Sequence, residues 1–274
     1  VVEHANRQNR DKTSVFINDK TGRWTQIRSF PKRPKASLFL KDDLVDLLID
    51  DTDRFLRGRD WYYERGLPHR RGFLFWGPAG NGKSSIIHVL ASELSLPIYL
   101  LSLSDFDVTD FSVAIAVGGL PDKCLLVIED FEKINLENKQ FTISGLLNAM
   151  DGPLASEGRL LIITANEIHS ISDKFLRPGR IDRRWRIDNP EEKAIDICLD
   201  HFGVDGAIDR VDFIDNAITN EWSMAKVQQE VIVKTGALER GADLVKSDKL
   251  LSDMRIRVIS PSSGSGAIEE EKPR

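Results

Sequence analysis

With 274 residues and 41% hydrophobic content, the chain can bury one large core or two small ones. A formal charge of -5 gives no global pull toward phosphate polymers, so no nucleic-acid partner is expected. Cys124 and Cys198, far apart in sequence, read as reduced core thiols rather than a disulfide framework. No apolar run reaches the about 18 residues of a membrane span, and membrane attachment is expected only through a segment upstream of Val1.

Residues 1–36 are polar and basic, with strand-like alternation at 14–17 and 24–27 around the turn residues Asn18-Asp19-Lys20-Thr21-Gly22. This predicts a hairpin, taken as the remnant of an upstream β-rich region or linker. The basic clusters Lys32-Arg33-Pro34-Lys35 and His69-Arg70-Arg71 read as surface charge. Over 41–57, Leu44, Leu47, Leu48, Phe55 and Leu56 recur at near-helical spacing, interrupted by Asp50-Asp51, which predicts a packing helix.

From Gly72 onward, apolar runs at 73–76, 97–103, 124–128 and 160–164 alternate with amphipathic stretches, the pattern of a parallel sheet covered by helices on both faces. Such sheets bind ligands at the carboxyl ends of their strands. After Pro190 only helical patterns remain, at 191–202, 211–219 and 223–239, implying a helical lid. The expected organisation is therefore the upstream remnant over 1–36, an α/β nucleotide-binding subdomain over 37–189, the lid over 190–245 and a C-terminal extension over 246–274. That extension, rich in Ser and Gly and carrying Glu269-Glu270-Glu271, cannot bury enough apolar surface to order itself.

The first strand of the alternating region runs into Gly77-Pro78-Ala79-Gly80-Asn81-Gly82-Lys83-Ser84, with Ser85 opening the next helix. This is G-x-x-x-x-G-K-S in the strand, turn and helix context that a phosphate loop requires. The glycines let backbone N–H groups converge on phosphate oxygens, and the positive end of the helix reinforces them. Lys83 would reach the β- and γ-phosphates and the Ser84 hydroxyl would sit on magnesium. A nucleoside triphosphate with Mg2+ is the implied ligand. The five histidines show no metal-ligand spacing, and His88 reads as a packed or half-exposed side chain.

A buried strand ends in Glu129-Asp130, and two acids beside a magnesium triphosphate divide the work: one holds a metal-bound water, the other orients or deprotonates the attacking water. The assignment is Glu129, with Ser84, for the metal and Asp130 for the water. Asn166, at the end of the next apolar run, can hold the nucleophilic water or touch the γ-phosphate. Arg177 and Arg180 flank a Pro-Gly turn before the last strand, where a guanidinium suits a γ-phosphate, often that of a neighbouring subunit.

Together, G-P-A-G-N-G-K-S, I-E-D, T-A-N and R-P-G-R-I-D resemble the AAA family of ring ATPases over about residues 37–240. Residues 60–72, the order Glu129-Asp130 and residues 141–152 are similar to its Bcs-type branch, which includes the mitochondrial chaperone that translocates the folded Rieske iron–sulfur protein. The resemblance implies a P-loop NTPase core with a five-stranded sheet and helical lid, and a homo-oligomeric ring, heptameric or hexameric, that hydrolyses ATP while acting on a protein client. In a mitochondrial member the module would face the matrix from the inner membrane; otherwise it would be cytoplasmic. It assigns Lys83 and Ser84 to Walker A, Glu129 and Asp130 to Walker B, Asn166 to the first sensor, and Arg177 and Arg180 to the arginine fingers. Ala79 and Asn81 replace the more usual Pro and Thr, which a loop binding through its backbone should tolerate. The lid carries Trp222-Ser223-Met224-Ala225-Lys226-Val227 where other branches have a sensor arginine. Residues 104–110, acidic and without a glycine, lack the usual threading-loop pattern. The alternative function is an ATP-dependent assembly switch whose effector lies elsewhere.

Overall fold

The structure, a computed structural model, describes residues 11–41, 43–103, 107–134, 140–152, 157–177, 179–204, 206 and 208–236. The expected C-terminal extension, Phe106 in the acidic loop, and Pro178 lie outside them.

Strands β1 (Lys12–Asn18) and β2 (Trp24–Pro31) form the expected hairpin, antiparallel and with a bulge between Val15 and Phe16. A short 3-10 turn at Lys35–Ser37 leads to α1 (Leu44–Arg57) and α2 (Arg59–Glu64). The α/β alternation then runs β3 (Arg71–Trp76), α3 (Lys83–Glu93), β4 (Ile98–Leu100), α4 (Asp110–Gly118), β5 (Leu125–Ile128), α5 (Ile143–Asp151), β6 (Leu160–Ala165) and β7 (Arg183–Arg186). The lid follows as α6 (Glu192–Phe202), α7 (Arg210–Thr219) and α8 (Met224–Thr235).

The sheet has seven strands in the order β2-β1-β4-β5-β6-β3-β7, two more than the resemblance implies. The difference is the hairpin: β1 pairs in parallel with β4, Val15 opposite Ile98 and Ile17 opposite Leu100. The edge of β4 would otherwise be exposed, and pairing satisfies its backbone groups. Residues 12–31 are thus an integral edge of the sheet.

The central strands read as continuous apolar runs because both of their faces are buried. Phe73, Phe75, Leu125, Val127, Leu160 and Ile162 belong to one core with Leu48 of α1 and Ile86, Ile87 and Leu90 of α3. The intervening Leu74, Leu126, Ile128, Leu161 and Ile163 belong to the other, with Val113 and Val117 of α4 and Leu146 and Met150 of α5. A third core forms the lid from Ile195, Leu199, Phe213, Val227 and Val231, and Phe39 from the linker inserts into it.

Two charged runs have roles the sequence did not suggest. Asp51 does not interrupt α1; it turns inward to an ion pair with Arg71 at 2.7 Å, both side chains largely buried. His69 is buried, its Nε2 paired with Phe55 O at 2.7 Å, so the His69-Arg70-Arg71 cluster is built into the fold rather than being plain surface charge.

Candidate nucleotide site

Strands β5, β6 and β3 are adjacent and parallel, so the segments leaving their carboxyl ends open on one edge of the sheet. Those segments carry Glu129-Asp130, Asn166 and the 77–84 loop respectively. A cleft of about 360 Å³ lies there, lined by the loop from Ala79 to Ser85, by Asp130, Lys133 and Asn166, by Arg33 and residues 37–40 of the linker, and by Met224, Ala225 and Gln228 of the lid. Its size suits a small-molecule ligand.

The loop has the left-handed turns that glycine permits. Gly77 has φ 137° and its Cα faces Ile187 O so closely that a Cβ would sit 2.2 Å from that oxygen. A side chain there is excluded on both counts. Gly82, also at positive φ, precedes the first turn of α3, whose residues Lys83, Ser84 and Ser85 line the cleft and whose first N–H groups have no partner within the helix. With no Cβ at these turns, the backbone forms a cradle fitting phosphate oxygens.

Lys83 is the central cation. Its Nζ donates to Gly77 O (2.6 Å), Pro78 O (3.0 Å) and Asn166 Oδ1 (3.0 Å), which joins the loop to β6. Burial pulls its pKa below the ordinary lysine value, opposed by the nearby charges of Glu132 and Asp130. Ser84 Oγ donates to Glu129 Oε1 at 2.5 Å, bringing together a hydroxyl and a carboxylate as oxygen donors of the kind magnesium selects. Among the described residues no cluster of His, Cys, Asp and Glu forms a separate metal site.

Asp130 sits in the left-handed region at φ 48°, and its backbone N–H donates to Thr164 Oγ1 (2.9 Å). That conformation ends β5 and directs the carboxylate into the cleft lining, where it pairs with the exposed Lys133 at 2.6 Å. The hydrogen bond to Asp130 raises the Lys133 pKa. Glu132 accepts from both the backbone N–H and the side-chain amide of Asn166. It was not singled out from the sequence, although it lies two residues beyond the acid pair.

The two arginines of the Pro-Gly turn have different surroundings. Arg180 Nε donates to Asp151 at the end of α5, and its Nη1 donates to Lys174 O at 2.6 Å, so its guanidinium is held within its own chain. Arg177 is exposed. The turn is pinned to β3: Asp182 accepts from Gly179 N and from Gly72 N, and a Cβ on Gly72 would stand 1.6 Å from Arg180 O. Gly72 therefore sets the close approach that fixes the arginine turn.

Asn81, which the loop is expected to tolerate in place of the more usual Thr, is 2% exposed and binds the lid. Its Oδ1 accepts from Met224 N (2.9 Å) and its Nδ2 donates to Asn189 Oδ1 (2.8 Å). Asn189 in turn donates to Glu221 O at 3.0 Å, and Ala225 N donates to Gly80 O at 3.0 Å. Backbone and amide groups thus join loop and lid. Ser85 does not contact the acids; its Oγ accepts from Arg33, a residue taken from the sequence as surface charge. His88 is half-buried against Phe30, with ring centroids 5.5 Å apart.

A parallel sheet with this loop, acid pair and amide on one edge, closed by a helical lid, defines a P-loop NTPase of the AAA class. The model of the ATPase family associated with various cellular activities (AAA) matches residues 73–189. The chain is 34% identical over 260 residues to a probable mitochondrial chaperone BCS1-A of Dictyostelium discoideum, covering 87% of this chain and 61% of that protein. It is 34% identical to the mitochondrial chaperone BCS1 of Danio rerio (63% of this chain, 48% of the relative) and 37% identical to that of Homo sapiens (55% and 39%). Residues 73–189 are thus an AAA domain, and the chain is similar to the Bcs-type branch of that family. The chain spans 39–61% of the length of these relatives. No helix among its described residues is long and apolar enough to cross a membrane.

Proposed function

We propose that this chain is the ATP-hydrolysing module of a homo-oligomeric ring that couples turnover to remodelling or translocation of a protein client. The carrying observation is the convergence of Lys83, Ser84, Asp130 and Asn166 on one cleft at the carboxyl ends of adjacent parallel strands, with Glu129 hydrogen-bonded to Ser84. The client role and a mitochondrial setting rest on relatives named mitochondrial chaperones.

Walker A backbone N–H groups and Lys83 would bind the triphosphate, with Lys83 meeting the β- and γ-phosphates. Ser84 and Glu129 would hold magnesium, which when bound supplies positive charge to the β- and γ-oxygens. Asp130 would take a proton from the attacking water, and Asn166, held by Glu132, would orient that water. Arg177 is the freer of the two arginines to reach a neighbour's γ-phosphate, whereas Arg180 shapes the turn that carries it.

The test is single-turnover hydrolysis by Asp130→Asn. This variant should bind ATP about as tightly as the unmodified chain and release ADP at least ~100-fold more slowly, the loss typical of a removed general base. Near-normal turnover would remove Asp130 from that role. ATP-driven assembly of the unmodified chain with negligible hydrolysis would instead favour an assembly switch.

A further inference from the structure

The linker that leaves the hairpin runs along the mouth of the cleft, and it brings a cation with it. Arg33 lines the cleft together with Ser37, Leu38, Ser84 and Ser85. Its Nε donates to Ser37 Oγ (3.0 Å) and its Nη1 to Ser85 Oγ (2.9 Å), while its backbone N–H donates to Ser92 Oγ (2.9 Å). Ser37 Oγ itself donates to Pro34 O at 2.8 Å, so the hydroxyl that receives the guanidinium is already oriented. The side chain is held at both ends of its fork's reach, between the linker turn and the first turn of α3.

Among the described residues no carboxylate lies within ion-pair distance of Arg33. Burial accordingly lowers its pKa, yet an arginine remains charged at any physiological pH. A partly desolvated cation without a counter-ion is costly, and the cost is recovered when an anion arrives. A mere staple between two hydroxyls would need neither the charge nor the fork. The position along the cleft narrows the anion. Asp130, Lys133 and Asn166 mark the end where the terminal phosphate is expected, whereas Leu38, Leu40 and Met224 supply apolar lining suited to a base. Arg33 bonds Ser85, one residue beyond the magnesium-side Ser84 and on the linker side of the loop.

We propose that Arg33 is a nucleotide-positioning residue whose guanidinium, oriented by Ser37 and Ser85, binds the phosphate nearest the ribose. This inference rests on the ATP-site reading above. It gives the hairpin a stake in the site: the strands that extend the sheet hold, through Thr13 and Ser92 as well as Arg33, the residue that meets the ligand. Because ATP and ADP share that phosphate, the contact serves both and does not distinguish them.

The experiment measures ATP and ADP affinity of the whole chain by calorimetry for Arg33→Met, which keeps an unbranched stem but removes the charge. Both nucleotides should bind about 10- to 100-fold more weakly, the usual effect of losing a charge-assisted hydrogen bond, with the nucleotide-free melting temperature unchanged. Equal losses support the assignment; loss for ATP alone would move the guanidinium to the γ-phosphate and overturn it, as would unchanged affinity for both. Modification of Arg33 in the unmodified chain by phenylglyoxal, followed by mass spectrometry, does not depend on any variant folding. ADP and ATP should each protect it, and labelling indifferent to either nucleotide would refute the contact. Lys83→Ala separates the two readings: if it abolishes binding while Arg33→Met leaves both affinities unchanged, only the Arg33 inference fails. If the unmodified chain binds no ATP, the site reading itself fails.

Discussion

Glu132 fixes the orientation of Asn166 by accepting from its side-chain amide and from its backbone N–H at 3.2 Å, so that Oδ1 is the atom presented to Lys83 at 3.0 Å. Without Glu132 the amide could rotate and present Nδ2, a donor facing a donor. Glu132→Ala should therefore leave ATP affinity within about twofold while lowering the turnover number by up to ~100-fold, the penalty for a misplaced positioning group. Parallel calorimetry and steady-state kinetics check the split; a matching fall in affinity would mean that Glu132 supports binding instead. This residue also marks where sequence reading stops. Lys83, Ser84, Glu129, Asp130 and Asn166 were legible because each follows an apolar strand at a fixed place in a motif. Glu132, Arg33 and Asn189 work through contacts across 34 to 108 positions of chain, for which local spacing carries no signal. The thiols were legible for a simpler reason: both lie in apolar runs, and burial pushes Cys124 and Cys198 up to about 12, leaving them protonated and unreactive.

Helix α8 begins against the phosphate loop, and Asn81 links the two more closely than a loop that uses only its backbone would require. Its amide accepts from Met224 N and donates to Asn189, both interactions buried or partly so. Asn81→Ala would leave the Met224 N–H without that acceptor at a helix N-terminus, costing about 1–3 kcal/mol. The lid end nearest the loop should loosen first: amide exchange at 224–227 should accelerate about 5- to 100-fold while exchange in β3 and β6 stays unchanged. Exchange equal across lid and sheet would show that Asn81 supports the whole fold rather than the joint. Element positions themselves followed from hydropathy pattern, and the observed α1, β5, β6 and α6 fall close to the apolar periodicities that predict them. The destination of the hairpin did not, because alternation at 14–17 says that a strand exists but not which edge it joins; that was decided by the unpaired side of β4.

At the scale of the molecule, the open question is whose nucleotide the arginine turn serves. Residues 180–182 are pinned to the amino-terminal part of β3 by Asp182 and by the close approach at Gly72. The phosphate loop leaves the opposite, carboxyl end of the same strand. The cleft lining includes neither Arg177 nor Arg180. A guanidinium so placed has no short path to the γ-phosphate of its own chain, whereas a neighbour in a ring can present its cleft to it. Of the two, Arg180 is engaged by Asp151 and Lys174 O, and Arg177 is exposed. Arg177→Ala should thus retain ATP affinity and lose about 10³- to 10⁵-fold in turnover, the usual contribution of an arginine finger. Arg180→Ala should also lower activity, but with a fall in melting temperature from the broken ion pair that Arg177→Ala does not share. Mixing decides the geometry. Lys83→Ala subunits keep their arginines but lack a working loop, and Arg177→Ala subunits keep the loop but lack the arginine. Rings containing both should recover part of the turnover at interfaces where an intact loop meets an intact Arg177. If mixed rings, verified by native mass spectrometry, hydrolyse ATP no faster than either variant alone, Arg177 does not act across the interface.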